Sequence, residues 1–317
     1  MKNKIFIRSL FAAFLFLFLS CFICSAQNAA PEAGDGKIIT LDIVLLIDQS
    51  GSMRGSDPKK LRSDASRLFV NLCSETDRVA VVGFGNDAVQ IYPPMQKNET
   101  GVTRTPLEPC KNPVKLKIIE AIKKNIKDNE NHTSIHRALE EALAILKFNN
   151  SLGKSETIPI VVMLTDGQIK GSGDLPPSTS IEKANASIDN SLEELGRNGV
   201  RIMTIGLGEK YDAELLRKIS NETNGSMYET KNPALLVDAY RKIFLDISDR
   251  FMYINSMKGD LLKFSYPVSL NEKDAVILVA NKSAVAADNF VTQKSLTLND
   301  QKIMSLFEDK SILYDFS

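Results

Sequence analysis

Three oxygen-bearing side chains stand at alternate positions in Asp48-Gln49-Ser50-Gly51-Ser52. A carboxylate and two hydroxyls suit a hard divalent cation such as Mg²⁺ or Mn²⁺. Gly51 allows a tight turn, so Ser50 and Ser52 can converge with Asp48 on one point. The same five residues also fit a polar strand-to-helix turn that caps a helix and binds nothing. Two distant stretches add oxygen donors: Thr133 in His132-Thr133-Ser134-Ile135, and Asp166 in Val161-Val162-Met163-Leu164-Thr165-Asp166-Gly167.

Each of these residues sits where an element must begin or end. Ile43 to Ile47 is an unbroken apolar run rich in branched residues, which predicts a strand buried on both faces, as in a parallel sheet under helices. Asp48 closes that run, and Asp166 closes the similar run of a central strand predicted over 158–165. In open α/β sheets, ligands bind in the crevice outside the carboxyl ends of the strands. Thr133 directly precedes a helix predicted over 134–148, with Ile135, Leu139, Leu143 and Leu146 on one face.

The order Asp-x-Ser-x-Ser, a distant Thr before a helix, then Thr-Asp-Gly after a strand resembles the von Willebrand factor A domain and its metal-ion-dependent adhesion site. The segment VRIMTIGLG with LLRKISNETNGSMYET is similar to that family's last strand and helix, so the resemblance spans roughly residues 38–248. It implies a doubly wound α/β fold, with a mostly parallel central sheet and helices on both faces. By resemblance, Ser50, Ser52 and Thr133 hold one Mg²⁺ or Mn²⁺ through their hydroxyls, while Asp48 and Asp166 act largely through bound water. The ion keeps one position open for a partner protein's Asp or Glu. The implied function is a divalent-cation-dependent protein-binding module of the cell envelope or exterior, serving adhesion or complex assembly. The alternatives are a structural scaffold in an envelope complex and a metal-dependent hydrolase.

An enzyme is not the expectation. An aspartyl phosphatase needs a second carboxylate where Ser50 stands, and neither a Gly-x-Ser-x-Gly elbow nor a Gly-x-x-x-x-Gly-Lys loop occurs. His132 and His136 have the i, i+4 spacing of a zinc pair, but Thr133 replaces the Glu of HExxH and precedes the helix, so they read as a solvated pair at the helix entrance. Asp57, Asp64, Glu140 and Glu141 read as solvated helix charges.

Strand and helix patterns alternate along the chain, which implies a parallel sheet with helices on both faces. A loop over 53–57 leads to a helix opened by Pro58, with Leu61, Ala65, Leu68, Phe69 and Leu72 on its stripe. Residues 79–84 form a buried strand and 89–92 an edge strand. The Pro-rich stretch 93–113 is a surface excursion. A helix over 114–126 carries Leu116, Ile119, Ile122 and Ile126. Beyond the central strand come a Gly/Pro-rich loop over 167–177, helices over 180–197, 213–221 and 234–248, and strands over 200–207 and 226–229. Strands are expected over 261–268, 275–280 and 290–298. The domains expected are a signal peptide (1–26), a linker (27–37), the α/β domain (38–249) and a short β-rich extension (250–317).

Lys plus Arg and Asp plus Glu both number 39 in the 317 residues. Removing a leader containing Lys2, Lys4 and Arg8 leaves 36 basic against 39 acidic, with no electrostatic footprint for nucleic acid. That leader has a basic start, an apolar run over 10–19 and small residues to Ala26, the pattern of a secretory signal. It predicts export to the periplasm, envelope or exterior; an uncleaved anchor and a lipid anchor at Cys21 are alternatives. No second apolar span of membrane length follows. An oxidising compartment permits a Cys73–Cys110 disulfide; the alternative is a buried Cys73 and an exposed Cys110.

Overall fold

The computed structural model describes residues 40–98, 101–154, 157–168 and 173–247, together with the backbone of four strands over 275–279, 295–298, 301–305 and 312–316. The expected signal peptide, the linker and the strand over 261–268 lie outside the described residues. Six strands form the main sheet: β1 (Thr40–Asp48), β2 (Arg78–Phe84), β3 (Ala88–Tyr92), β6 (Thr157–Thr165), β7 (Arg201–Leu207) and β8 (Met227–Thr230). Their order is β3-β2-β1-β6-β7-β8, and every pair is parallel except β2–β3. This is the doubly wound α/β arrangement expected from the apolar runs.

Period-two alternation divides β1 between two cores. Ile43, Leu45 and Ile47 face a layer made by helices α2 (Leu61–Leu72), α3 (Asn112–Asn125) and α7 (Leu236–Ile247), with Phe69, Ile118, Ile122, Tyr240 and Ile243. Val44 and Leu46 face α4 (Ile135–Phe148), α5 (Ile181–Arg197) and α6 (Ala213–Glu222), with Leu139, Ile145, Ile188 and Leu216. Each fully buried Val, Leu or Ile favours the fold by about 1.5–3 kcal/mol. That is why the central strand carries no polar residue between Asp42 and Asp48.

Several local expectations change. The loop over 53–57 contains a single helical turn, α1 (Met53–Ser56), and α2 begins at Leu61 rather than Pro58. The excursion over 93–113 holds a small hairpin, β4 (Gln96–Asn98) with β5 (Gly101–Thr103). On α3, Leu116 is 60% exposed and Val114 and Ile118 face the core instead, because the true stripe begins two residues earlier. Asp57 is not solvated: it is fully buried against the equally buried Arg62, whose Nη1 donates to Asp57 Oδ2 at 2.9 Å. His136 is likewise buried on α4 rather than solvated, and burial pushes its imidazole below the usual value. Cys73 and Cys110 are both buried free thiols: the disulfide that an oxidising compartment permits is not formed, and of the alternative only the buried Cys73 holds, since Cys110 is not exposed. The described tail strands are β9 (Ala275–Val279), β10 (Ser295–Leu298), β11 (Gln301–Ser305) and β12 (Ile312–Phe316), the last two unforeseen; β9 pairs with β12 and β10 with β11.

Candidate metal centre

Strand register brings the two acidic loops together. Ile47 of β1 lies beside Leu164 of β6, so Asp48 and the Thr165-Asp166 pair leave the same edge of the sheet as neighbours. Thr165 Oγ1 donates to Asp48 Oδ2, and the Ser50 amide donates to Asp48 Oδ1 at 2.7 Å. The Ser50 and Ser52 hydroxyl oxygens lie 2.9 Å apart, and Ser52 Oγ donates to Asp166 Oδ1 at 2.7 Å. Four of the five expected residues are thus linked by hydrogen bonds, Ser50, Ser52 and Asp166 oxygen to oxygen and Asp48 through the Ser50 amide.

The fifth, Thr133, comes from the α4 entrance. Its side chain packs against Gly167: a Cβ added at Gly167 would lie 2.8 Å from Thr133 Oγ1 and 2.5 Å from Cγ2. Only glycine permits that approach. Asp48, Ser50, Thr133 and Asp166 are buried, whereas Ser52 is exposed. Ser50, Ser52 and Thr133 line a cleft of about 260 Å³, walled by Arg54, Glu130, Asn131, His132 and Asp174. Met53, in the stretch over 53–57 expected as a loop, is buried in the core.

The electrostatics favour a cation. Burial first and the nearby Asp166 second raise Asp48 from 3.8 to about 6, against hydrogen bonds from Ser50 and Thr165 that lower it. Burial also raises Asp166, opposed by hydrogen bonds from Ser56 and Ser52 and by the charge of Arg62. Two close, desolvated carboxylates with hydroxyls in front of them form a donor set that a hard divalent ion fits. Among the described residues no group of three or more His, Cys, Asp or Glu side chains gathers to hold an ion. A cation here would therefore rest on hydroxyls as well as acids.

Two contributors escaped the sequence reading. Ser56, on α1, donates to Asp166 Oδ2; it stands four residues after Ser52, one helical turn on, which is the signal that was available. Thr165 bridges Asp48 and the Gly167 amide, which donates to its Oγ1 at 2.9 Å.

An open, mostly parallel sheet with a hydroxyl-and-acid cluster on its carboxyl edge defines a Rossmann-like α/β binding domain. The sequence model of the von Willebrand factor type A domain matches residues 42–242, and the chain belongs to that family. It is 24% identical over 223 residues to the protein sll0103 of Synechocystis, covering 70% of this chain and 45% of that one. It is 22% identical over 256 residues to the pig (Sus scrofa) inter-alpha-trypsin inhibitor heavy chain H2, covering 78% of this chain and 25% of that one. The chain therefore spans less than half the length of either relative. A solved von Willebrand factor type A structure from Catenulispora acidiphila superposes with a TM-score of 0.53 at 22% identity, over 65% of this chain and 42% of that one. That likeness concerns the fold alone.

Proposed function

We propose that this chain is a divalent-cation-dependent protein-binding module, in which Ser50, Ser52 and Thr133 hold one Mg²⁺ or Mn²⁺ and Asp48 and Asp166 support it. The observation that carries this reading is the oxygen chain Ser50–Ser52–Asp166, with Thr133 packed beside it at the mouth of an open cleft. A bound cation would supply an electron-poor centre able to attract the carboxylate of a partner's Asp or Glu. The chain's own side chains orient the hydroxyls: Thr165 and the Ser50 amide fix the Asp48 carboxylate, and Ser52 and Ser56 fix that of Asp166.

Binding rather than catalysis is supported by the donor chemistry. Ser50 takes the place that a nucleophilic or second basic carboxylate needs, and hydroxyl ligands leave the ion's charge unspent for a partner's acid. The basic and apolar leader supports action outside the cytoplasm, in the periplasm, envelope or exterior. Among the described residues no helix is long and apolar enough to cross a membrane.

The test is a titration of the purified domain with Mn²⁺, followed by capture from envelope extract with and without chelator. The expected result is saturable 1:1 binding and a partner retained only with the cation, both lost in the Ser50→Ala/Ser52→Ala double variant. A wild-type domain that binds no Mn²⁺ overturns the reading. Partner binding unaffected by chelator would instead assign the ion to folding.

A further inference from the structure

The loop carrying Thr133 has no regular structure until α4 begins at Ile135, so its amides must find partners elsewhere. They all do. The Asn131 and His132 amides both donate to Asn86 Oδ1 at 3.1 Å, the Thr133 amide donates to the Asp174 carbonyl at 2.9 Å, and the Ser134 amide to the Gly85 carbonyl at 2.8 Å. Upstream, the Glu130 amide donates to the Gln49 carbonyl at 3.2 Å and its carbonyl accepts from the Gly51 amide at 2.7 Å. Ser134 Oγ donates to the Asn86 carbonyl at 3.0 Å, closing the clasp from the other side.

Four of the acceptors outside the loop are backbone carbonyls, those of Gln49, Gly85, Asn86 and Asp174. Among the described residues, only Asn86 accepts from the amides of Glu130 to Ser134 through a side chain, and a single oxygen there serves the two amides just before Thr133; further upstream Arg62 Nη2 reaches the Lys127 carbonyl. We infer that Asn86, in the β2–β3 turn, is a positioning residue that sets the Thr133 hydroxyl toward Ser50 and Ser52. This rests on the metal-site reading. Asn86 touches no ion; it acts through the loop, as outer partners of metal ligands do.

The test compares Mn²⁺ affinity of the wild type, Asn86→Ala and Asn86→Asp by calorimetric titration, with melting in chelator as a control. The alanine variant is expected to bind about 10- to 100-fold more weakly, the typical cost of losing an outer-shell partner. Aspartate keeps an acceptor oxygen and is expected to restore affinity close to wild type, with metal-free melting similar in all three. An alanine variant that binds as wild type, or an aspartate variant as weak as alanine, overturns the inference. Should the alanine variant not fold, hydrogen exchange on the metal-free wild type decides: slow exchange at Asn131 and His132 supports the clasp, and free exchange overturns it. A wild type that binds no Mn²⁺ sinks the metal-site reading first, and this inference falls with it.

Discussion

β1 carries a buried carboxylate near each end, and the protein treats the two in opposite ways. Asp42, at the amino end, is fully buried, and the guanidinium of Arg78 grips both its oxygens, with Nε at 2.6 Å from Oδ1. Asp48, at the carboxyl end, is equally buried but faces hydroxyls, an amide and a second acid. Asp57, only nine residues on, follows the Asp42 pattern, since Arg62 and two backbone amides surround it. The fold supplies its own cation where a carboxylate serves architecture. At Asp48 no such basic partner is found among the described residues, and on the proposed reading a bound cation completes that charge, which would make the carboxyl edge a site and the other positions struts.

The largest effect should come from breaking a strut. Arg62 and Asp57 are fully buried, and Arg62 also donates from Nη2 to the Lys127 carbonyl at 2.8 Å. Removing one partner of a buried pair strands the other charge, at a cost of about 3–5 kcal/mol. Arg62→Met should therefore lower unfolding stability by that amount in urea titration, with or without divalent ion. A loss under about 1 kcal/mol, the range of exposed pairs, would break the comparison.

The open carboxylate should respond with the opposite sign. In the metal-free protein, ionised Asp48 opposes folding, because its pKa rises from 3.8 to about 6. That shift corresponds to about 3 kcal/mol at neutral pH, an upper figure for one buried group. Asp48→Asn should leave the metal-free protein as stable as wild type or more so, while abolishing stabilisation by millimolar Mg²⁺. If the variant loses stability in chelator, Asp48 is a strut like Asp42, and the contrast between the two ends fails.

The pH profile separates the same two kinds of carboxylate. A raised pKa means that Asp48 favours the metal-free fold fully below about 3.8, and that this contribution is lost as pH rises through about 6. Between pH 5 and pH 7 the metal-free wild type should lose about 1–2 kcal/mol relative to Asp48→Asn, on the scale of one pKa unit to 1.36 kcal/mol. Saturating Mg²⁺ should flatten that difference. Parallel profiles in chelator would show that the Asp48 charge is already neutralised within the protein.

The contrast also explains what the sequence disclosed. Apolar runs at Ile43 to Ile47 and Val161 to Leu164 announce buried parallel strands, and whatever terminates such strands lies on the ligand-binding edge. Asp48 and Asp166, which close those two strands, stood out for that reason; Thr133 stood out by the amphipathic helix it precedes and by the resemblance to the von Willebrand factor A domain. Asp57 was not: its polar surroundings in sequence resemble a solvated helix start, and only the tertiary placement of Arg62 buries both. Leu116 misled because the buried stripe of α3 runs through Val114, Ile118 and Ile122, which leaves Leu116 on the opposite face. Asn86 carries no chemical signature at all, since its importance lies in which distant amides reach its oxygen.

The smallest expected effect tests how far the open site is preorganised. Ser56 Oγ donates to Asp166 Oδ2 from α1, opposite the bond that Ser52 makes to Oδ1. Fixing both oxygens holds the carboxylate plane without bringing a positive charge to it, so Ser56 orients Asp166 where Arg78 neutralises Asp42. One such hydrogen bond is worth about 1 kcal/mol net, or roughly fivefold in affinity. Ser56→Ala should weaken Mn²⁺ binding by about that factor and leave metal-free melting unchanged, because the bond is only partly buried at Ser56 and water can take the hydroxyl's place. A hundredfold loss would mean that Ser56 ligates the ion itself, enlarging the hydroxyl set; no loss would mean that Ser52 alone orients Asp166.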